Sequence, residues 1–397
     1  MTAKSMMPYV QGNSAIRAMF EEGARLAAKY GRENVYDFSL GNPSVPAPPE
    51  VNQAIKDIVD EEDSLLIHGY NQSNSGYEDV RQAVAEHLNK LHGTNFSYAN
   101  IIMTVGAASG LNVAIKTFVD PGEEILAFAP YFVEYGKYAA NHGSVLHAVP
   151  ADTSTFQPNL EAMEDMISEK TRAVIINSPN NPTGVIYSAE TLTKLASILK
   201  AKSEEYGAPI YIISDEPYRE LAYDGATVPY VTKFYDNTIV GYSWSKSLSL
   251  PGERIGYLVL PTELEDFENA AAAANIANRV LGYVNAPSLM QRVVARCIDC
   301  STDVAAYDRN RTALYEGLKD LGYECTKPEG AFYLFVKSPI EDDVEFCELG
   351  KKYNILMVPG KSFACAGYVR LSYCVSHDTI VNSLPAFGKL MEEIKSL

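Results

Sequence analysis

The chain of 397 residues is poor in cysteine, with six in all, and has a single tryptophan. Six cysteines are too few for a disulfide scaffold, because such scaffolds belong to small, cysteine-dense domains. No apolar run is long enough to span a bilayer, and the first residues, MTAKSMMPYVQGNSAIRAMFEEG, lack the apolar core of a secretory signal. We therefore expect a cytoplasmic protein that does not bind a membrane.

Basic residues are also scarce. Lys and Arg total 33 against 50 Asp and Glu, which gives a formal net charge of -17. A field of this sign opposes binding to nucleic acid or to anionic lipid, so we expect neither partner. Any anionic ligand has to meet cations that the fold places locally.

Apolar runs that alternate with helical segments fill the middle of the chain, and 47% of all residues are hydrophobic. The length exceeds the roughly 250 to 300 residues at which single cores stop growing, which predicts one large and one small domain. Alternating strands and helices predict an α/β fold with a mostly parallel sheet. The predicted strands are NIIMTV, EEILAFAP, RAVIINS, PIYIIS, NTIVGY and RIGYLVL.

Small or polar residues follow several of these strands, where ligands of parallel sheets bind. After NIIMTV, the segment GAASG opens a helix, so Ala107, Ala108 and Ser109 could offer backbone N–H groups and a hydroxyl to an anion. Close packing of small residues explains this turn equally well. Downstream of Val284, helical segments and short alternating strands predict a second α+β domain, which the helix SAIRAMFEEGARLAAKYG joins.

Lys246 lies in SWSKSLSLPGERIGY, between two buried strands. A lysine there is costly unless it has a partner or a reaction, and a lysine that burial keeps neutral can attack a carbonyl to form a Schiff base. Arg254 follows eight positions later, and its forked donors suit a phosphate.

Four further side chains would suit an aromatic cofactor bound as a Schiff base. Asp215 could hold a pyridine nitrogen protonated, Asn181 and Tyr218 could donate to a ring phenolate, and Tyr131 could stack on the ring. Each also has a structural explanation, since Asp215 could cap a helix, Asn181 could shape a turn, and both tyrosines could fill the core. Their places on successive strand ends favour a shared pocket.

The segments SPNNPTG, SDEPY, SWSKSLSLPGERIGY and VRLSY, in this order and spacing, resemble the class I and II aminotransferases, the aspartate aminotransferase-like branch of the fold type I enzymes that use pyridoxal 5'-phosphate (PLP). The resemblance runs from Ser39 to the carboxyl terminus. It implies a large domain with a mostly parallel seven-stranded sheet and a smaller α+β domain. We expect an N-terminal segment at 1–45, a PLP-binding domain at 46–283 and a small domain at 284–397.

The resemblance also implies roles for individual residues, and no metal. Lys246 forms the Schiff base with PLP and moves the proton, Asp215 pairs with the pyridine nitrogen, and Asn181 and Tyr218 contact the ring oxygen. The remaining matches are Tyr131 as the stacking aromatic; Ala107, Ala108, Ser109, Ser243 and Arg254 around the phosphate; Arg370 and Gly41 at the substrate α-carboxylate; and Tyr70, which reaches the phosphate across a homodimer interface.

The implied reaction is a ping-pong transfer of an amino group from an L-amino acid to a 2-oxo acid, and an aspartate-like donor is favoured. A distal carboxylate needs a second cation, for which Arg17 and Arg279 are the candidates, although the simpler interpretation of both is an arginine on the exposed surface. A PLP-dependent C–S β-lyase on the same fold is the alternative. A non-catalytic ligand-sensing module is disfavoured, because no basic winged region precedes Gly41.

Overall fold

The computed structural model describes residues 2–11 and 15–396, without the side chains at 11, 15–18 and 20. The strands are β1 (Tyr36–Asp37), β2 (Ile101–Thr104), β3 (Glu124–Phe128), β4 (Val145–Val149), β5 (Thr171–Asn177), β6 (Tyr211–Asp215), β7 (Thr238–Ser243), β8 (Gly256–Val259), β9 (Tyr333–Lys337), β10 (Ile355–Leu356), β11 (Val358–Pro359) and β12 (Tyr368–Ser372). The α-helices are α1 (Met7–Gln11), α2 (Ala15–Tyr30), α3 (Pro49–Glu61), α4 (Ser64–His68), α5 (Glu78–His92), α6 (Gly106–Phe118), α7 (Tyr135–Asn141), α8 (Leu160–Met166), α9 (Ala189–Tyr206), α10 (Trp244–Ser247), α11 (Phe267–Val280), α12 (Ser288–Arg296), α13 (Val304–Asp320), α14 (Asp343–Lys351) and α15 (His377–Ser396).

A seven-stranded sheet forms the centre of the larger part of the molecule, in the order β2-β8-β7-β6-β5-β3-β4. Strands β7, β6, β5, β3 and β4 pair in parallel, whereas β8 runs antiparallel to both of its neighbours, β7 and β2. The prediction of a mostly parallel seven-stranded sheet is confirmed. All six strands predicted from apolar runs are present, because their residues are buried almost without interruption, as in sheets covered on both faces.

Strand β4 is the member of this sheet that the apolar runs did not reveal. It lies at the edge, paired with β3 alone, and its residues Val145 and His147 are exposed or half-buried. An edge strand with one partly exposed face carries a weaker apolar pattern than a central strand, which explains why it was missed.

The smaller part of the molecule has a three-stranded antiparallel sheet, β11-β12-β9, and a short parallel pair, β1-β10. Helix α13 packs against β9 and α15, and α14 packs against β11 and β12. The α+β character expected downstream of 284 is therefore present, and β1 joins it from the amino-terminal segment. Helix α12, however, packs against α3, α4 and α5 of the larger part. The domain limits at 45 and 283 stay predictions.

The carboxyl ends of the parallel strands lie side by side. Asn177 at the end of β5 is in register with Asp215 at the end of β6, and Asp215 is in register with Gly241 of β7. Polar side chains at these ends are therefore brought to one edge of the sheet. Across residues 2–11 and 15–396, we find no helix of the length and apolar character that crossing a bilayer requires.

Leu195 on α9 offers a test of how the covering helices hold the sheet. Its side chain is 0% exposed within the apolar cluster between α9 and the sheet. We expect Leu195→Ala to lower the free energy of unfolding by about 2–5 kcal/mol, because the cavity left behind adds to the lost transfer energy. Leu91→Ala is the control, since Leu91 is 55% exposed on α5, and it should cost less than about 1 kcal/mol. Urea unfolding followed by circular dichroism measures both, and equal losses would contradict the packing described.

Candidate active site

A cavity of about 280 Å³ opens at the carboxyl edge of the central sheet and reaches the smaller sheet. It collects residues from strand ends, from the start of α6, from α10 and from β12. Ten of the residues singled out in the sequence line it: Gly41, Ala107, Ala108, Asn181, Asp215, Tyr218, Ser243, Lys246, Arg254 and Arg370.

Lys246 lies on the short helix α10, directly after β7. Its Nζ donates a hydrogen bond of 2.9 Å to the carbonyl oxygen of Gly41. The pKa of the amine is lowered from 10.5 to about 8, mainly by burial; Cys374 opposes this shift, and the positive charges of Arg254 and Arg370 add to it. The neutral, nucleophilic form of the amine is therefore far more populated near neutral pH than in an exposed lysine.

Asp215 ends β6 with a buried carboxylate. Burial raises the pKa of this carboxyl to about 7, and the nearby Glu216 raises it as well, whereas a hydrogen bond from Tyr135 lowers it. The hydroxyl of Tyr135 donates to Oδ2 at 2.6 Å, while Oδ1 is buried without a hydrogen-bond partner among the described residues. A buried acceptor of this kind indicates a ligand group that carries a proton.

The opposite end of the cavity is suited to an anion. Ala107 and Ala108 lie in the first turn of α6, where backbone N–H groups have no partner within the helix. The guanidinium of Arg254 lies against this turn, because a Cβ added to Gly106 would come within 2.8 Å of its Nη2. Gly106 has φ +77°, so glycine suits both the backbone conformation and the close approach of the arginine. Ser243 completes this end.

Arg370 lies on β12 of the smaller sheet and is 2% exposed. One guanidinium nitrogen donates to the side-chain oxygen of Asn181 at 3.1 Å, whereas Nε is buried with no partner among the described residues. Asn181 itself is fixed by a hydrogen bond of 2.7 Å from its backbone N–H to the side chain of Asn177. A buried arginine with donors to spare fits a carboxylate ligand.

Other candidates do not reach this cavity. Ser109 is buried within α6 and its hydroxyl donates to the carbonyl of Gly106 at 3.0 Å. Tyr131 does not line the cavity, and the centre of its ring lies 6.3 Å from the centre of the Tyr135 ring. Tyr70 is 89% exposed. The roles implied for these three residues stay predictions.

The two candidates for a distal carboxylate lie elsewhere on the chain. Arg279 is exposed near the end of α11 and does not line the cavity. Arg17 belongs to α2, and its side chain lies outside the described part of the structure.

Four aromatic residues of the site were missed in the sequence. Phe132, Tyr138 and Tyr333 line the cavity, and the hydroxyl of Tyr135 donates a hydrogen bond to Asp215. Phe132 is next to Tyr131 in a loop, where no periodicity shows which of two neighbours faces the cavity. Tyr135 begins α7 and Tyr131 precedes that helix, so no helical spacing in the sequence links the two residues.

This set of residues fits PLP. A neutral lysine is available for the aldehyde, an unpaired carboxylate oxygen for the protonated ring nitrogen, and a helix start with an arginine for the phosphate. Asn181 and Tyr218 line the same cavity, and each carries a side-chain hydrogen-bond donor. The fold and this cavity together define a PLP-dependent enzyme of fold type I.

Comparisons with known proteins agree. Residues 33–386 match the family Aminotransferase class I and II, so the chain belongs to that family. It is 32% identical to the aspartate aminotransferase of Thermotoga maritima over 89% of this chain and 90% of that protein. Its fold matches the crystal structure of an amino transferase from Eubacterium rectale with TM-score 0.97 and 50% identity over 99% of both chains. An aspartate aminotransferase of Thermus thermophilus with maleate gives TM-score 0.85 and 26% identity over 98% of this chain and 100% of that one. The protein is therefore a PLP-dependent transaminase that acts on amino acids and 2-oxo acids.

The lowered pKa of Lys246 can be measured in the cofactor-free enzyme. We expect the rate at which acetic anhydride modifies Lys246 to rise with pH through about 8, because only the neutral amine reacts. In urea the burial is lost, and the midpoint should move up towards 10.5. Mass spectrometry of the Lys246 peptide after brief labelling gives both profiles. A folded-state midpoint near 10.5 would show that the amine is not desolvated.

Proposed function

We propose that this transaminase takes the amino group from L-aspartate, or a closely related dicarboxylic amino acid, and transfers it to a 2-oxo acid in two successive half-reactions. The convergence of the Lys246 amine, the unpaired Asp215 oxygen and the buried Arg370 in one cavity carries the site assignment. The names of the relatives from Thermotoga maritima and Pyrococcus horikoshii, both aspartate aminotransferases, support the substrate class.

PLP supplies an aldehyde that condenses with amines and a protonated ring that withdraws electrons from the substrate α-carbon. Asp215 would keep the ring nitrogen protonated, and Asn181 and Tyr218 would donate to the ring oxygen. The phosphate would be bound by the backbone of Ala107 and Ala108 and by Ser243 and Arg254, all of which line the cavity. Ser109 would support the helix start through its hydrogen bond to the carbonyl of Gly106. The ring-stacking aromatic expected at Tyr131 has a second candidate in its neighbour Phe132, which lines the cavity.

Lys246 is both the attachment point and the proton carrier. With PLP and substrate bound, the Lys246 amine would take the proton from the substrate α-carbon and hold it for return. The carbonyl of Gly41, which accepts the Lys246 hydrogen bond at 2.9 Å, keeps the amine inside the cavity. Burial keeps part of this amine neutral, as the transfer requires.

Arg370 binds the substrate α-carboxylate through its forked donors, assisted by the backbone at Gly41. Binding of the carboxylate would fix the direction of the substrate Cα–H bond relative to the PLP ring. Orientation of this kind accounts for a large part of the rate enhancement in such reactions. Arg370 itself is held by Asn181, which also lines the cavity.

A second copy of the chain completes the site in this proposal. Tyr70 is 89% exposed, and the nearby Leu65 and Leu66 are 82% and 53% exposed, which makes an apolar patch that a homodimer interface would cover. Tyr70 then reaches the phosphate of the partner's site. Arg279 would likewise reach across the interface and bind the distal carboxylate of a substrate in the partner's site. Arg17 is the other candidate for that role.

A second substrate class, aromatic amino acids, is favoured by one observation. The cationic residues among the described cavity lining are Lys246, Arg254 and Arg370, and each already has a ligand in this scheme. Leu40, Phe132 and Tyr138 line the same space. An apolar side chain would therefore fit within one chain, whereas a distal carboxylate needs an arginine from outside it.

We also propose a cytoplasmic location. All six cysteines are unpaired, and four of them are buried, which suits a reducing compartment.

The half-reaction tests the proposed function. When the PLP-loaded enzyme is mixed with L-aspartate and no 2-oxo acid, the visible absorbance of the lysine-bound cofactor should fall and one equivalent of 2-oxo acid should form. Lys246→Ala should lack both responses, because it loses the amine that binds the cofactor and moves the proton. Lys233→Ala, at an exposed lysine bonded to the carbonyl of His92, is the control and should behave as wild type. Release of ammonia together with a keto acid would instead identify a lyase.

Arg279→Ala tests the distal anchor. We expect kcat/KM for aspartate to fall by roughly 30-fold or more, about 2 kcal/mol, because a carboxylate would lose its charged partner. Values for alanine and phenylalanine should change little. Arg309→Ala, at an exposed arginine of α13, is the matched control. An equal loss for all three amino acids would argue against a distal role, and no loss for any would leave Arg17 as the anchor to mutate next.

A further inference from the structure

Tyr333 is the first residue of β9 and is 3% exposed, yet it lines the active-site cavity. It belongs to the smaller sheet, where it is in register with Ser372 of β12, two residues after Arg370. Its side chain contacts residues from three separate parts of the chain. Any part that Tyr333 takes in the reaction rests on the transaminase function proposed above.

The hydroxyl of Tyr333 lies 2.9 Å from the hydroxyl of Tyr218, which belongs to the loop after β6. The same hydroxyl lies against Gly41, because a Cβ added at that glycine would collide with it. Two buried hydroxyls that are this close share one hydrogen bond, so one of them must be the donor.

The ring of Tyr333 supports Arg370. The guanidinium carbon lies 4.6 Å from the centre of this ring, and 5.0 Å from the centre of the Phe363 ring. A cation over an aromatic face is attracted to it, and the attraction is stronger where water is excluded. Tyr333 therefore contacts the residue that binds the substrate carboxylate and the residue that meets the cofactor ring oxygen.

The direction of the shared hydrogen bond is set by the chemistry of Tyr218. A hydroxyl has one proton, and Tyr218 has to give it to the negatively charged ring oxygen. Tyr333 must then donate to the oxygen of Tyr218. A hydroxyl that accepts one hydrogen bond donates a stronger one, because chained hydrogen bonds polarise each other.

We propose that Tyr333 is a positioning residue that links substrate recognition to the cofactor: its hydroxyl orients and strengthens Tyr218 as a donor to the ring oxygen, while its ring holds Arg370 in place. The two contacts join the large and small sheets at the reacting centre. Binding of a carboxylate at Arg370 is thereby coupled to the hydrogen bond at the ring.

Several charged or titratable groups face this pair. The charge of Asp215 raises the pKa of Tyr218, and that of Arg370 lowers it. Arg370 also lowers the pKa of Tyr333, whereas Cys374 raises it. Burial raises the pKa of Tyr333 to about 12 and raises that of Tyr218 as well, so both hydroxyls keep their protons across the working range of pH.

Two substitutions separate the two contacts. Tyr333→Phe removes the hydroxyl and keeps the ring, whereas Tyr333→Leu removes both. Tyr323→Phe is the control, because Tyr323 is equally buried in the same apolar cluster and donates its hydroxyl to the carbonyl of Phe387 instead.

The first measurement is the pH titration of the visible absorbance of the PLP-loaded enzyme, without substrate. A donor to the ring oxygen favours the deprotonated form of the bound cofactor, since it stabilises the negative oxygen and competes for it with the titrating proton. Tyr333→Phe should therefore move the midpoint to higher pH by about half a unit or more, and Tyr323→Phe should leave it in place.

The second measurement is the dissociation constant of a dicarboxylic acid that cannot react, such as maleate or succinate. Tyr333→Leu should bind it about fivefold more weakly than Tyr333→Phe does, because the ring under Arg370 is lost. An unshifted titration midpoint in Tyr333→Phe would overturn the proposal, and so would equal affinities in the two variants. If Tyr333→Leu does not fold, the midpoint of Tyr333→Phe decides alone. Both measurements use binding and absorbance, so they stand even if aspartate proves not to be the substrate.

Discussion

Three cations share one cavity with a single carboxylate, and this imbalance governs the site. Lys246, Arg254 and Arg370 line the cavity, and Asp215 is the acidic residue among the described lining. In a chain of net charge -17 the overall field repels anionic ligands, so these local cations are what allow such ligands to bind. The ligands of the proposed reaction, a phosphate and carboxylates, are the groups that balance it. The lowered pKa of Lys246 is a direct result of the same crowding and burial.

The architecture explains how such a pocket is held. Parallel pairing brings the ends of β5, β6 and β7 together, which places Asp215 and Ser243 at one edge of the sheet. The start of α6 adds unpaired N–H groups at the same edge. Arg370 comes from a different sheet, and so the carboxylate end of the site is built by the smaller part of the molecule.

Much of this site could be predicted from the sequence because the residues follow recognisable strands. Asp215 ends the strand β6, and Lys246 and Asn181 lie in the short segments that follow β7 and β5. Residues at these places are brought to the carboxyl edge of a parallel sheet, where ligands bind. The order and spacing of their motifs added the family and the role of Arg370. Six strands of the central sheet were predicted from apolar runs and the total of seven from the family resemblance, while the place of the edge strand β4 was not predicted. The remainder depended on details that a linear pattern does not contain. Phe132 and Tyr131 are neighbours in an irregular loop, and only the folded backbone shows that Phe132 lines the cavity. The hydrogen bond from the Ser109 hydroxyl to the carbonyl of Gly106 is likewise visible only in the folded helix.

The small residue Gly41 and the large residue Tyr333 are complementary in size. The hydroxyl of Tyr333 occupies the space that any side chain at position 41 would need, while the carbonyl of Gly41 accepts the hydrogen bond of Lys246. A side chain at position 41 would therefore displace the tyrosine or the carbonyl that holds the catalytic amine, whereas a smaller residue at 333 would make room for it. Among related sequences, a residue larger than glycine at 41 should be accompanied by a smaller one at 333, so that the two positions change together during evolution.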